Sequence, residues 1–145
     1  MAIKQLSAFA GNNPGALAKI IDTLDKAQID MKAMNVADSM DFGIVRFLVD
    51  DVIAAKTALS DEACIVKEND IVAIAVKDEP GSLKKFVHLL ADNGVNIEYM
   101  YSFPTKKEGM MCMAVRVDEP SFVEQIAKAN KIEFLTEDNK SLYLV

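Results

Sequence analysis

The sequence is poor in the residues that most metal, redox and nucleophilic sites require. It has one histidine and two cysteines in 145 residues, and neither Cys64 nor Cys112 has a CxxC spacing or a nearby histidine. This composition disfavours a metal or redox centre. We predict two buried free thiols in a reducing compartment, with no metal ligands and no cofactor.

Basic residues and long apolar runs are also scarce. There are 16 Lys and Arg against 22 Asp and Glu, which gives a net charge of −6. Because binding to a phosphate backbone needs clustered Lys and Arg, we expect no nucleic-acid partner. No apolar run approaches the roughly 20 residues that cross a bilayer, and the start, MAIKQLSAFA, lacks the features of a signal peptide. We therefore expect a cytoplasmic protein with no membrane partner.

What the sequence does contain is an internal repeat. Pro14-Gly15 and Pro80-Gly81 are 66 residues apart. At the same offset, Leu17, Lys19, Leu24 and Met34 each have an identical residue in the second copy. Matches in this order along the chain indicate a duplication. We predict two domains, residues 1–69 and 70–145.

Both copies show the same order of predicted elements. In the first, apolar residues at helical spacing predict a helix from Pro14 to about Ala27. The flanking strands are IKQLSAFA, IDMKAMNVA and GIVRFLV, with a turn-like DSMD between the last two. Asp50-Asp51 is expected to cap a second helix, and CIVK closes the unit. The second copy repeats this order with IVAIAV, VNIEYMYSF, MMCMAVRV and IEFL, and Pro120 opens its second helix.

These patterns predict an α+β fold of two tandem ferredoxin-like βαββαβ units. Each unit is expected to have an antiparallel sheet with its helices on one face and the other face open. The last five residues, SLYLV at 141–145, are predicted to form a surplus strand that pairs with an exposed edge. An open face and a spare strand favour a homodimer.

The two Pro-Gly pairs lie where a strand passes into a helix. Proline suits the first helical position, and glycine lets another backbone or a small ligand approach closely. The free N–H groups of a helix start can bind a carboxylate. Polar side chains precede each pair, and they could bind an ammonium or an amide. Together these groups fit a free amino acid, although a Pro-Gly turn can also serve the fold alone.

The runs around these turns resemble the opening of an ACT domain. That family has a strand, D-x-P-G-x-L, a helix and a second strand that often begins with G-[IV]-N-I. The second copy contains KDEPGSLKKF followed by GVNI, which matches nearly every position. The first copy, AGNNPGALAKI, has Asn12 in place of the aspartate and Asp30 in place of the later asparagine. The resemblance covers essentially the whole chain as two ACT units.

The resemblance implies a regulatory module that binds a small effector, most often an amino acid, at an interface between ACT units. In that family the loop between the first strand and first helix holds the ligand with the second strand of a neighbouring unit. The residues carried over are Asn12, Asn13, Pro14, Gly15, Ala16, Leu17, Asp78, Glu79, Pro80, Gly81, Ser82, Leu83, Asn96 and Ile97. Strand geometry adds Asn35 and Tyr101. Asp30 leaves open whether both sites are occupied.

No catalytic residue is identified, and we expect the protein not to be an enzyme. The single histidine, His88, falls on the polar face of a predicted helix, and no phosphate-binding glycine loop is present. We expect regulation to act in trans on a partner enzyme or regulator of amino-acid metabolism. The alternative is a protein–protein interaction module with no small ligand, in which GMMCMAV and VNIEYMYSF fill a core or a dimer interface.

Overall fold

The computed structural model describes residues 2–38 and 42–145, and the predicted turn DSMD lies, beyond Asp38, outside them. The chain forms two compact units, which we call the N-terminal unit (Lys4–Asn69) and the C-terminal unit (Asp70–Val145 with the chain start as far as Ile3). The elements in chain order are β1 Ile3–Gly11, α1 Ala16–Lys26, β2 Met31–Asp38, β3 Phe42–Val49, α2 Val52–Asp61, β4 Val66–Lys77, α3 Ser82–Asp92, β5 Tyr99–Phe103, β6 Met110–Arg116, α4 Pro120–Ala129 and β7 Glu133–Leu135.

In the N-terminal unit, the strand order is β2-β3-β1 followed by the start of β4. The pairs β1–β3 and β2–β3 are antiparallel. Helices α1 and α2 bury their apolar faces in one core with the sheet, formed around Leu6, Leu24, Phe47 and Leu59, each at most 1% exposed. Helix α2 begins as predicted, because the Asp51 carboxylate accepts a hydrogen bond from the Ala54 amide at 2.9 Å.

In the C-terminal unit, the strand order is β7-β4-β6-β5, and every pair is antiparallel. Its core contains Ile74, Phe86, Leu90 and Val123, each at most 1% exposed. Pro120 lies in the first turn of α4, as predicted. Both units therefore have the βαββαβ order of a ferredoxin-like fold, and the predicted fold class is confirmed.

The two strands predicted at CIVK and IVAIAV are one continuous strand, β4, of 12 residues. The polar residues between them do not break it, because they contain neither glycine nor proline and their side chains find partners. Ser7 donates to the Asn69 side chain at 3.0 Å, and Lys56 pairs with Glu68 at 2.9 Å. One strand thus contributes to both units.

Residues 141–145 do not form the predicted surplus strand. They enter a short 3₁₀ turn, Lys140–Leu142, and then make a single bridge between Leu144 and Thr105. The reason is local hydrogen bonding. Asn139 accepts from the Thr136 amide at 2.7 Å and so starts a turn, and the Tyr143 carbonyl accepts from Thr105 Oγ1 at 2.7 Å. The segment is fixed to the β5–β6 loop rather than to a sheet edge.

The sheet face opposite the helices is not open as predicted. In the C-terminal unit, Ala73, Ala75, Cys112 and Ala114 lie on that face and are at most 3% exposed. A continuous apolar run such as IVAIAV is typical of a strand that is buried on both faces, whereas a half-exposed strand alternates. The argument for a homodimer from an open face therefore loses its basis.

Candidate functional site

The first Pro-Gly pair forms a turn that ends β1 and starts α1. The Ala16 amide donates to the Asn13 carbonyl at 3.3 Å. Gly15 has φ 87° and ψ −12°, which are the values for the third residue of a type II turn. Pro14 is therefore the second residue of this turn. The sequence had predicted it to be the first helical residue, and that prediction is wrong. Glycine is required by its left-handed backbone.

The second pair repeats this geometry. The Ser82 amide donates to the Glu79 carbonyl at 3.3 Å, and Gly81 has φ 90° and ψ −13°. Pro80 is again in the turn rather than in the helix. The turn is held to the β5–β6 loop, because the Asp78 amide donates to the Gly109 carbonyl at 2.9 Å. Two sequence copies with little identity thus adopt one backbone conformation.

Both helix starts lack a capping side chain. Gly15 and Gly81 are the N-cap residues of α1 and α3, and neither helix has an acidic residue in its first turn. Since the first amides of a helix have no intrahelical partner, each start offers N–H donors and partial positive charge. The side chains of Asn12, Asn13 and Asp78, which precede the two helices in the sequence, are exposed. Each turn can therefore offer hydrogen-bond donors and acceptors to a small polar molecule.

Asn96 and Ile97, the second-strand residues predicted for the site, lie far from the turn of their own unit. Asn96 and Ile97 precede β5 rather than belong to it, because its partner strand β6 ends at Arg116, opposite Tyr99. They follow the C-terminal end of α3, while the Asp78–Leu83 turn precedes its N-terminal end, and 11 helical residues separate them by about 16 Å. Asn96 instead lines a shallow pocket of about 290 Å³ with Asp118 and Phe122.

Asn35 and Tyr101 are also distant from the turns of their own units. Asn35 is paired with Arg46, which is paired with Ser7 in the middle of β1. Tyr101 is paired with Ala114 on β6, and it is buried. Within one unit, the structure brings together only the turn residues, Asn12–Leu17 in one copy and Asp78–Leu83 in the other.

A cavity that is partly open to solvent, and that the sequence did not indicate, lies next to the first turn. Its volume is about 180 Å³, and it is bounded by α1, the end of α2 and the residues before β4. Of the predicted site residues, Ala16 lines it; Lys19, Thr23 and Glu62 were not predicted. The two copies differ at many core positions, so no pattern in the sequence singles out this region.

Cys64 lines the same cavity and is only half-buried, so the prediction of two buried thiols is wrong for this residue. Its thiol is within 3.7 Å of the Phe9 carbonyl. Burial raises the pKa of Cys64, and the positive charge of Lys19 opposes this by lowering it. Cys112 is fully buried, and burial raises its pKa as well.

Two further findings limit the chemistry of the described residues. Among residues 2–38 and 42–145, no group of three histidine, cysteine or acidic side chains is placed to hold a metal ion. Over the same ranges, no helix combines the length and the apolar character needed to cross a bilayer.

Comparison with solved structures identifies similar folds. A protein of Bacteroides thetaiotaomicron, BT0572, is 35% identical with a TM-score of 0.86, over 93% of this chain and 92% of that one. The regulatory subunit of aspartate kinase from Thermus thermophilus is 15% identical, with a TM-score of 0.63 over 87% and 90% of the two chains. Aspartokinase III of E. coli in complex with lysine and aspartate is 13% identical, with a TM-score of 0.52 over 89% of this chain and 31% of that one. The last two similarities concern the fold alone.

A search of curated proteins found no match. The family model described as an ACT domain pair, however, matches residues 1–144. Its extent agrees with the duplicated βαββαβ units and the repeated Pro-Gly turns. The chain belongs to the ACT domain pair family.

Proposed function

We propose that this protein binds a free amino acid through its strand-to-helix turns and regulates a separate enzyme or regulator of amino-acid metabolism. The observation that carries the proposal is the repeated type II turn in front of an uncapped helix. An α-carboxylate suits the free amides of such a helix start. An α-ammonium suits the exposed carbonyl or carboxylate oxygens of Asn13, Asp78 or Glu79.

Similar proteins support the ligand class. The E. coli aspartokinase III structure contains lysine and aspartate, and the Thermus protein is a regulatory subunit. The fold of this chain is thus found in an enzyme whose structure contains two amino acids. The remaining candidates, Asn35, Asn96, Ile97 and Tyr101, enter this proposal only as residues that a neighbouring ACT unit would contribute. Cytoplasmic location, absence of catalysis and a homodimer are parts of the same proposal.

The alternative, an interaction module without a small ligand, is favoured by one observation. Met34 and Val36 on the edge strand β2 are 42% and 49% exposed, and Phe42 on β3 is 40% exposed. Apolar residues on a strand edge are typical of surfaces that pair with another chain. This alternative predicts self-association that no amino acid alters.

Calorimetric titration with the twenty amino acids tests the proposal. If one binds, Asn13→Ala and Glu79→Ala should each weaken binding about tenfold, which corresponds to about 1.4 kcal/mol and to the loss of a hydrogen bond to a charged group. His88→Ala is the control, because His88 is exposed on α3 away from the turn. Unchanged affinity in both turn variants would contradict the assignment of the turns. No binding of any amino acid would favour the interaction module.

A further inference from the structure

The cavity in the N-terminal unit has the composition of a small amphipathic site. Its floor is apolar and includes Ala10, Ile20 and Leu59, while Lys19, Glu62 and Cys64 contribute polar groups. Its volume of about 180 Å³ is smaller than the roughly 300–1,000 Å³ of ordinary ligand pockets. Only a molecule of few atoms would fit.

The second copy of the fold has larger apolar side chains at some of the positions that line the cavity. Helices α1 and α3 align at an offset of 66, so Ile20 corresponds to Phe86 and Thr23 to Leu89. Phe86 is 1% exposed in the core of the C-terminal unit, and Leu89 packs against the same core. Two larger apolar side chains therefore replace two smaller ones.

The third difference lies at the end of the second helix of each unit. Ala63 and Lys131 both have a left-handed backbone, with φ 59° and φ 56°, and this aligns Cys64 with Ile132. Ile132 packs against the core of its unit. Leu59, which also lines the cavity, aligns in turn with the smaller Ala127, because the Cys64 amide donates to the Leu59 carbonyl and the Ile132 amide donates to the Ala127 carbonyl. Of these four aligned pairs, the residue of the N-terminal unit is smaller in three and larger in one.

Two opposite charges border this space. Lys19 and Glu62 both line the cavity and both are exposed. In the described part of the chain, neither side chain forms an ion pair. Burial raises the pKa of Cys64, and the ammonium of Lys19 is near enough to the thiol to oppose part of this effect. An unpaired cation and an unpaired anion at the rim of an apolar space match a zwitterion.

We propose that this cavity binds a small aliphatic amino acid. Its carboxylate would contact Lys19, its ammonium would contact Glu62, and its side chain would pack on Ile20 and Leu59. The ligand class rests on the proposed function, but the site is a different one. Of the turn residues, it includes only Ala16. The site belongs to the N-terminal unit, because Phe86, Leu89 and Ile132 occupy the equivalent positions in the C-terminal unit.

Cys64 provides a reporter for occupancy of the cavity. It is half-buried, whereas Cys112 is fully buried, so N-ethylmaleimide should alkylate Cys64 first in the folded protein. The probes are L-alanine, L-valine and L-leucine, with mass spectrometry to measure the alkylation rate. At a concentration about ten times its dissociation constant, a bound probe should slow alkylation about tenfold. Isobutylamine and isovalerate, which each lack one charge of valine, should give much weaker protection.

A variant that copies the second unit supplies the decisive comparison. Ile20→Phe with Thr23→Leu places in the cavity the larger side chains that the second unit has at the equivalent positions. We expect calorimetric binding of the protecting amino acid to be lost, while the thermal midpoint is maintained. Lys19→Met, at an exposed position, should weaken binding about tenfold by removing a charge-assisted contact, and it serves as a second test if the filled variant folds poorly.

Three results would overturn this site. The first is unchanged alkylation with all three probes, and the second is binding retained by the filled variant. The third is a rise in the thermal midpoint with an amino acid that does not slow the alkylation of Cys64. That third result would leave the proposed function in place, whereas failure of every amino acid to bind would remove both.

Discussion

Glycine at positions 15 and 81 is required by backbone conformation rather than by space. Their φ values are 87° and 90°, yet a Cβ at either position would meet no atom within 4 Å. A residue with a Cβ loses about 1–2 kcal/mol in the left-handed conformation. We therefore expect Gly15→Ala and Gly81→Ala each to lower the free energy of unfolding by about 1–2 kcal/mol in urea titrations.

Gly43→Ala is the matched control for these substitutions. Gly43 lies in β3 with no positive φ, and its Cβ would meet the carbonyl oxygens of Ala37 and Ala10 at 3.8 and 3.9 Å, which are ordinary contacts. Gly43→Ala should therefore change the free energy of unfolding of the protein by less than about 0.5 kcal/mol. A loss at Gly43 equal to that at the turns would contradict the conformational explanation.

The residue scale also shows where prediction from sequence succeeded. Pro-Gly marked both turns correctly, because these residues set the backbone whatever surrounds them. Sequence placed the proline in the helix, however, because a first-turn proline and a type II turn share the same φ at that residue. The cavity residues Lys19 and Glu62 gave no local signal, since their role depends on the residues packed around them.

At the scale of elements, the C-terminal segment is held by a cluster of three side chains. Tyr143 donates to the Glu133 carboxylate at 2.8 Å, and the Lys107 ammonium lies 3.1 Å from the same carboxylate. The ammonium is also 4.2 Å from the centre of the Tyr143 ring. The hydrogen bond from Tyr143 and then the contact with Lys107 lower the pKa of Glu133. The cluster joins β7 and the β5–β6 loop to the end of the chain.

This lowered pKa predicts a pH dependence of stability. A carboxylate whose folded pKa is below its unfolded value of about 4.3 stabilises the fold fully above that value, and it loses this effect as the pH falls. The stability advantage of the wild type over Glu133→Gln should thus be largest near neutral pH and shrink by about pH 3. The advantage should be about 1 kcal/mol or less, because the Glu133 side chain is 48% exposed.

Urea unfolding of both proteins between neutral and acidic pH measures this difference. Tyr143→Phe keeps the ring but removes the hydroxyl, which is the first cause of the lowered pKa, so it should flatten the pH dependence. A difference between wild type and Glu133→Gln that grows on acidification would refute the assigned role of the cluster.

The sequence predicted the order of the elements well and their ends less well. Helices α1 and α3 have apolar stripes that mark them clearly. The strand predicted at SLYLV does not form, because the hydrogen bond that Asn139 accepts from Thr136 and the one that Thr105 donates to Tyr143 outweigh the β-propensity of its residues. The boundary of β5 depends on where its partner β6 ends, which a single strand cannot show.

At the scale of the whole molecule, duplication explains both the fold and the asymmetry of the candidate sites. The two copies retain the same turn geometry, while their core residues differ at many aligned positions, such as Phe47 against Val115 and Leu59 against Ala127. Shared features, such as the left-handed glycines, are those that the fold requires. Differences, such as Thr23 against Leu89, surround the cavity that we propose as a binding site. Sequence alone aligned the copies but did not show which differences surround a cavity.

Thermal unfolding of the purified protein in the presence of each of the twenty amino acids tests the central claim most directly. A ligand at 100 times its dissociation constant adds about 2.7 kcal/mol to the stability of the native state. For a chain of this length, that corresponds to a rise in the midpoint on the order of 5–10 °C. We predict such a rise with one or a few amino acids. Midpoints that stay constant across all twenty would contradict an amino-acid-binding function and leave the turns with a structural role alone.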